Sequence, residues 1–228
     1  VSYHEHNKQE SGQRILFRIL TGETCALVSD AGTPAISDPG EMLVQQCAEA
    51  GVPVTAIPGP CAAITALAVS GLPTGRFTFE GFLSVNRKNR KMHLDSLREE
   101  TRTMIFYEAP HKLNATLRDL RDTFGGERRV SLSRELTKLH EETLRMTLSE
   151  AVAYHEVNPP RGEYVLILDG AVARETAASP EDALQQVARL RAEGMGLKDA
   201  VRQVSHETGV PKNLLYAQSL DEPRPDNP

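Results

Sequence analysis

No stretch of the 228-residue sequence approaches the about 20 consecutive apolar residues that a membrane-spanning helix needs. Residues 1–10 are mostly polar, so the opening does not read as a secretory signal either. Cysteine is scarce. Cys25, Cys47 and Cys61 are an odd number, and each sits inside an apolar run. They read as reduced thiols in or near a core, the usage expected of a cytoplasmic protein. No His or Cys pair near them has ligand spacing, so no metal site is expected. Positive charge is not in excess: the formal net charge of −5 argues against a general nucleic-acid binder, while leaving room for one local basic patch. Phosphate loops are missing too. There is no Gly-x-x-x-x-Gly-Lys-Ser/Thr and no Gly-x-Gly-x-x-Gly after a strand, which speaks against an ATPase and an NAD enzyme. No Gly-x-Ser-x-Gly elbow marks a serine hydrolase.

What is present alternates between strand and helix. Short apolar runs at 25–29, 52–57, 76–82, 103–107, 129–133 and 163–169 predict strands. Between them, Asp38-Pro39-x-Glu41 predicts a helix with Asp38 as N-cap, ending near Gly51. The nearly all-apolar run 61–70 predicts a buried helix. A basic segment, 86–91, leads a helix that ends near Glu100. Residues 110–124 predict an amphipathic helix stopped by Gly125-Gly126, and Thr147 with Glu150 a capping box. The alternation argues for α/β layers. The expected division is an α/β domain over 1–83, a second over 84–170, a linker at 171–179, a small helical domain over 180–220 and a disordered tail at 221–228.

Ligands of open α/β sheets bind beyond the carboxyl ends of the strands. Four short segments fall there: Asp30-Ala31-Gly32-Thr33-Pro34, Pro58-Gly59-Pro60, Glu108-Ala109-Pro110-His111 and Arg134-Glu135-Leu136-Thr137-Lys138. One alone is an ordinary turn, because Gly and Pro bend the backbone for steric reasons. Four on one edge point to a ligand crevice. Separately, Arg87, Lys88, Arg90 and Lys91 crowd four positive charges into five residues at a helix start, where the macrodipole disfavours cations. RNA phosphate is the functional reading and a solvated loop the structural one.

The block from Val28-Ser29-Asp30-Ala31-Gly32-Thr33-Pro34 through Ala35-Ile36-Ser37-Asp38-Pro39-Gly40 resembles the second cofactor loop of tetrapyrrole methylases, in the long form that marks their ribosomal RNA 2′-O-ribose branch. Ile57-Pro58-Gly59-Pro60-Cys61-Ala62-Ala63 resembles the loop that follows, where many members carry Ser in place of Cys61. Phe79-Glu80-Gly81-Phe82-Leu83 resembles the crossover between two domains. Tyr107-Glu108-Ala109-Pro110-His111-Lys112 resembles a Glu-Ser-Pro-His-Arg signature, and Ser133-Arg134-Glu135-Leu136-Thr137-Lys138 with Arg161-Gly162-Glu163 completes the pattern. The family's opening strand, its Thr-Pro-Ile-Gly-Asn-Leu type loop and its Ala-Glu-Asp-Thr-Arg type segment have no counterpart here, so the expectation is a chain lacking its first βαβ unit.

The resemblance implies two α/β domains of the tetrapyrrole-methylase, class III S-adenosylmethionine (SAM) methyltransferase fold, with a small helical C-terminal extension. It implies SAM in the cleft, held by Asp30, Ala31, Gly32, Thr33, Ala35, Ile36, Cys61, Ala62 and Gly162. It implies methyl transfer to the ribose 2′-hydroxyl of a cytidine in small-subunit ribosomal RNA, within an assembled 30S particle, by a cytoplasmic homodimer with no membrane partner. A weakly acidic hydroxyl favours a general base; Glu108, His111, Glu135 and His140 are open candidates, with Glu108 and His111 equally readable as caps of the helix at Pro110. Arg87, Lys88, Arg90, Lys91, Arg134 and Lys138 are the implied RNA contacts. Arg134 with Glu135 and Lys138 with Glu142 read equally as ion pairs. A methyltransferase for a tetrapyrrole or a protein side chain, or a catalytically inactive fragment without its first cofactor loop, remain alternatives.

Overall fold

A computed structural model describes residues 1–172 and 179–220. The expected tail and most of the expected linker therefore lie outside the described residues. Val1–Ala171 forms one compact unit, and the described residues from 172 onward a second.

The strands are β1 (Phe77–Phe82), β2 (Thr103–Glu108), β3 (Arg129–Arg134), β4 (Glu142–Thr147) and β5 (Tyr164–Leu168). The helices of the first unit are α1 (Lys8–Leu20), α2 (Glu41–Glu49), α3 (Ala62–Val69), α4 (Arg87–Ser96), α5 (Pro110–Phe124) and α6 (Leu148–Val157). All five strands join one sheet in the order β1-β2-β5-β3-β4. β5 reads Tyr-Val-Leu-Ile-Leu, apolar on both faces, and every one of its residues is buried. It runs antiparallel to β2 and to β3, and β1 runs parallel to β2. The carboxyl ends of β1, β2 and β3 consequently share one edge with the amino ends of β4 and β5. Across that edge Glu108 pairs with Tyr164, Tyr164 with Arg134, and Arg134 with Glu142.

The period of two along a strand assigns each residue a face. Met104, Phe106, Val130, Leu132, Leu166 and Leu168 face α5 and α6, whose Leu113, Leu117, Leu120, Leu148 and Ala151 complete the larger core. Ile105, Val165 and Ile167 face α3, which meets them with Ala63, Ala66 and Leu67. Small side chains let this helix lie close against the sheet. At its C-terminus, Arg145 of β4 donates to the carbonyls of Val69 and Ser70, groups that a helix end leaves without partners. α6 opens with the capping box that Thr147 and Glu150 predict, and α5 with Pro110 and an end at Gly125, as expected.

The second unit contains α7 (Pro180–Ala192), α8 (Leu197–Thr208) and α9 (Lys212–Leu220) around Val187, Val201, Val204 and Leu215. Its breaks match the expected ones, and Gly209 supplies the left-handed residue between α8 and α9.

Several expectations are corrected. Residues 25–29 and 52–57 form no strand: an apolar run becomes one only when a neighbour takes its N–H and C=O groups. Val28, Val54 and Ile57 are exposed instead. Cys25 is exposed as well, while Cys47 is buried and Cys61 half-buried. Asp38 is not an N-cap; α2 starts after Gly40 without a side-chain cap, and the Asp38 carboxylate accepts from Ser29 Oγ at 3.0 Å. α3 is buried on one face only, since Ile64 and Val69 are exposed. α4 ends at Ser96 rather than near Glu100. β4 was not expected: as an edge strand with only partial burial, it lacks the apolar run of β2 or β5.

The close approach of α3 sets a stability test. Ala66 is fully buried against the sheet. Ala66→Leu should destabilise by about 1–3 kcal/mol through overpacking, read as a lower urea midpoint; a midpoint equal to wild type would mean that the helix has room to move.

Candidate cofactor and active site

Residues 29–38 form a closed loop. Ser29 Oγ donates to Asp38 Oδ2 and to the Ala31 carbonyl, both at 3.0 Å. Its tip is tied to the next loop: the Thr33 amide and Thr33 Oγ1 donate to the Pro60 carbonyl at 2.9 and 3.2 Å. Gly32 stands against that carbonyl with φ +74°, where a Cβ would lie 2.9 Å from the Pro60 oxygen. Only glycine takes this position without cost. The amides of Ala31, Gly32, Ala35 and Ile36 make no protein hydrogen bond among the described residues. They are donors open to a ligand that the main chain can approach closely.

From Pro60 the chain enters α3 through Cys61. The Ala63 amide, in the first turn, donates to Tyr107 Oη at 3.0 Å. Cys61, Tyr107 and Leu136, each half-buried, all pack against the core on the α3 face of the sheet. Leu136 brings with it the loop after β3. Glu135 lies against Gly162, where a Cβ would come within 2.7 Å of Glu135 Oε1. Among the described residues, the four non-glycine residues with positive φ are Ala35, Ser37, Glu135 and Thr137. Two belong to the 29–38 loop and two to the loop after β3. Such strained backbone persists where the surroundings over-determine it, typically at ligand sites.

The structure therefore brings Asp30, Ala31, Gly32, Thr33, Ala35, Ile36, Cys61 and Ala62 into one pair of tied loops. Glu135 and Gly162 form a second pair, next to Leu136, which packs on the same core as Cys61 and Tyr107. Glu108 lies on the opposite face. It is 2 % exposed, and its carboxylate accepts from the Ala109 amide and, at 2.5 Å, from Thr116 Oγ1. Those bonds anchor the start of α5, so the structural reading of Glu108 prevails over the catalytic one. His111 is exposed in the first turn of α5. His140 is exposed in the loop after β3.

The basic segment divides. Asn86 caps α4 by accepting from the Lys88 and Asn89 amides, which lets cations occupy the first turn. Arg87 and Lys88 are exposed and carry no ion pair among the described residues. Lys91 is exposed and pairs with Asp95. Arg90 points inward to Asp119 at 2.5 Å and donates to Thr116 Oγ1 at 2.8 Å. It belongs to the fold and leaves the set of RNA contacts. The other two cations have partners, but not those expected: Arg134 pairs with Glu142 at 2.8 Å and Lys138 with Glu135 at 3.0 Å. The Glu142 carboxylate beside it holds the Arg134 guanidinium above its ordinary pKa.

The sequence motif points to Glu108, but it is its neighbour Tyr107 that the strand's period of two turns toward α3. No described helix is long and apolar enough to cross a membrane.

Residues 1–152 match the family described as Tetrapyrrole (Corrin/Porphyrin) Methylases, and residues 177–222 match the RsmI C-terminal HTH domain. The chain is 47% identical over 222 residues to the ribosomal RNA small subunit methyltransferase I of Synechocystis sp., with 97% of this chain and 80% of the relative covered. The namesake from Pseudomonas aeruginosa is 47% identical, covering 95% and 78%. That from Escherichia coli O157:H7 is 44% identical, covering 96% and 77%. Among solved structures, the methyltransferase CobJ superposes with a TM-score of 0.55 at 21% identity, covering 71% of each chain. Diphthine synthase does so with 0.52 at 13%, covering 74% and 68%. These two likenesses concern the fold. The chain belongs to the tetrapyrrole methylase family, within its group of ribosomal RNA small subunit methyltransferases I.

Proposed function

We propose that the chain transfers a methyl group from SAM to a ribose 2′-hydroxyl of a cytidine in small-subunit ribosomal RNA. The observation that carries this reading is the tie between the 29–38 loop and Pro60, which holds two ligand-ready loops on the N-terminus of α3. When bound, SAM supplies an already activated methyl on a sulfonium. The protein's residues need chiefly to position the two reactants. The free amides of Ala31, Gly32, Ala35 and Ile36 hold the cofactor's polar groups, with Asp30, Thr33, Cys61 and Ala62 beside them. Gly162 keeps room next to Glu135. Of the candidate bases, Glu135 is the carboxylate on the face that carries the tied loops, and His111 is open to solvent at the same edge; one of them takes the hydroxyl proton.

RNA is the reading of the acceptor because Arg87, Lys88 and Lys91 present cations outward from α4, and a small porphyrinoid needs no such surface. The acceptor particle is the 30S subunit. A cytoplasmic homodimer, using the exposed Ile64 side of α3, completes the proposal.

Two measurements test it. Gly32→Ala introduces a Cβ against the Pro60 oxygen at a left-handed position, a strain of about 1–2 kcal/mol. Calorimetry should show SAM affinity falling about tenfold as the shifted loop amides lose the cofactor, with the thermal midpoint lowered by about 2–8 °C; equal affinity would reduce the loop to a turn. For RNA, the Arg87→Ala, Lys88→Ala, Lys91→Ala triple variant should weaken 30S binding and flatten its salt dependence by about 0.7 in log–log slope per lost phosphate contact. Arg90→Ala should instead lower stability and leave the slope alone. An unchanged slope in the triple variant would return the segment to a solvated helix start.

A further inference from the structure

We infer that the Tyr107 hydroxyl is the positioning group of the cofactor site: it sets where the Gly32 loop stands relative to the sheet. The inference rests on the cofactor reading given under Proposed function, and deepens it.

Tyr107 sits near the end of β2 with its side chain on the α3 face, the face opposite Glu108. Its ring is fixed edge-on by Phe79 at 5.2 Å and Phe82 at 5.6 Å, both on β1. A ring held on two sides leaves its hydroxyl little freedom. That hydroxyl accepts from the buried Ala63 amide. Helix N-termini usually draw a cap from their own N-cap residue, but Cys61 occupies that position and its side chain caps nothing. The sheet therefore supplies the cap. Burial pushes the Tyr107 hydroxyl above the ordinary tyrosine range, so it stays neutral through the working pH range.

The consequence runs outward along the chain. Two residues separate Ala63 from Pro60. The Pro60 carbonyl takes both the amide and the hydroxyl of Thr33. Among the described residues it is the one hydrogen-bonded partner of the 29–38 loop outside the loop itself. One hydrogen-bonded series thus reaches the loop's open amides from the sheet: Tyr107, Ala63, Pro60, Thr33. At the other end of α3, Arg145 holds the last carbonyls, so removing the Tyr107 hydroxyl frees the N-terminal end while the helix stays on the sheet.

Tyr107→Phe tests this. The ring and its contacts with Phe79 and Phe82 remain, and one hydrogen bond goes. Methyl transfer to 30S subunits should show KM for SAM rising about three- to tenfold, the loss expected for one neutral hydrogen bond. The kcat should stay within about twofold and KM for the 30S particle should not move. Hydrogen exchange, run without cofactor, should quicken at the Thr33 and Ala63 amides and not in the β2–β5 ladder. Unchanged KM with unchanged exchange at Thr33 overturns the inference. So does exchange quickened throughout the sheet with kcat and KM changed together, which would make Tyr107 a general stabiliser. If the wild-type chain itself takes up no SAM, the proposed function fails. The exchange comparison then still decides whether Tyr107 governs the loop.

Discussion

The insertion of β5 between β2 and β3 is the contact on which the first unit depends. Its five residues satisfy the inner edges of two strands at once, and both of its faces are covered. Burying backbone polar groups is tolerable only when each is paired, and this strand pairs its own and its neighbours'. Its antiparallel direction also determines the chemistry. It leaves β1, β2 and β3 pointing the same way, and their loops emerge together. Glu108, Tyr164, Arg134 and Glu142 form a row across that edge because the registers on either side of β5 coincide. Had β5 slipped by one residue, Tyr107 and Glu108 would have exchanged faces relative to their partners.

Much of this was legible in the residues. β2 and β5 declare themselves as apolar runs, α5 by its Pro110 start and Gly125 stop, and α6 by its capping box. The four loop segments were readable because glycine, proline and short polar residues interrupt those runs at the carboxyl ends. The family motifs then named the ligand. What the sequence could not give was pairing. Residues 25–29 and 52–57 have strand composition, but composition does not supply a neighbour. β4 has a neighbour and almost no apolar run. Ion pairs were equally opaque. Arg134 reaches across the β3–β4 pair to Glu142, eight residues on, and Lys138 folds back on Glu135; neither follows from counting along a charged stretch.

Face was the other hidden variable. Adjacent residues of one motif, Tyr107 and Glu108, carry different duties because the pleat separates them. Glu108 joins Thr116, Arg90 and Asp119 in a network beneath α4 and α5. Tyr107 serves the α3 side. The same division explains why the four adjacent cations of α4 do not act as a block. The helix turns Arg90 toward Asp119 while Arg87, Lys88 and Lys91 stay outside. Where charge is dense in sequence, the partners a neighbouring helix offers decide which part of it stays free.

The two apolar segments outside the sheet have a consequence for what the protein can accept as a neighbour. At 25–29 and 53–57 the backbone makes no backbone hydrogen bond among the described residues, and Val28, Val54 and Ile57 are exposed. Open backbone beside branched side chains is a template for adding another strand. A further strand laid against either segment would cover these side chains and satisfy the backbone groups that the described residues leave open.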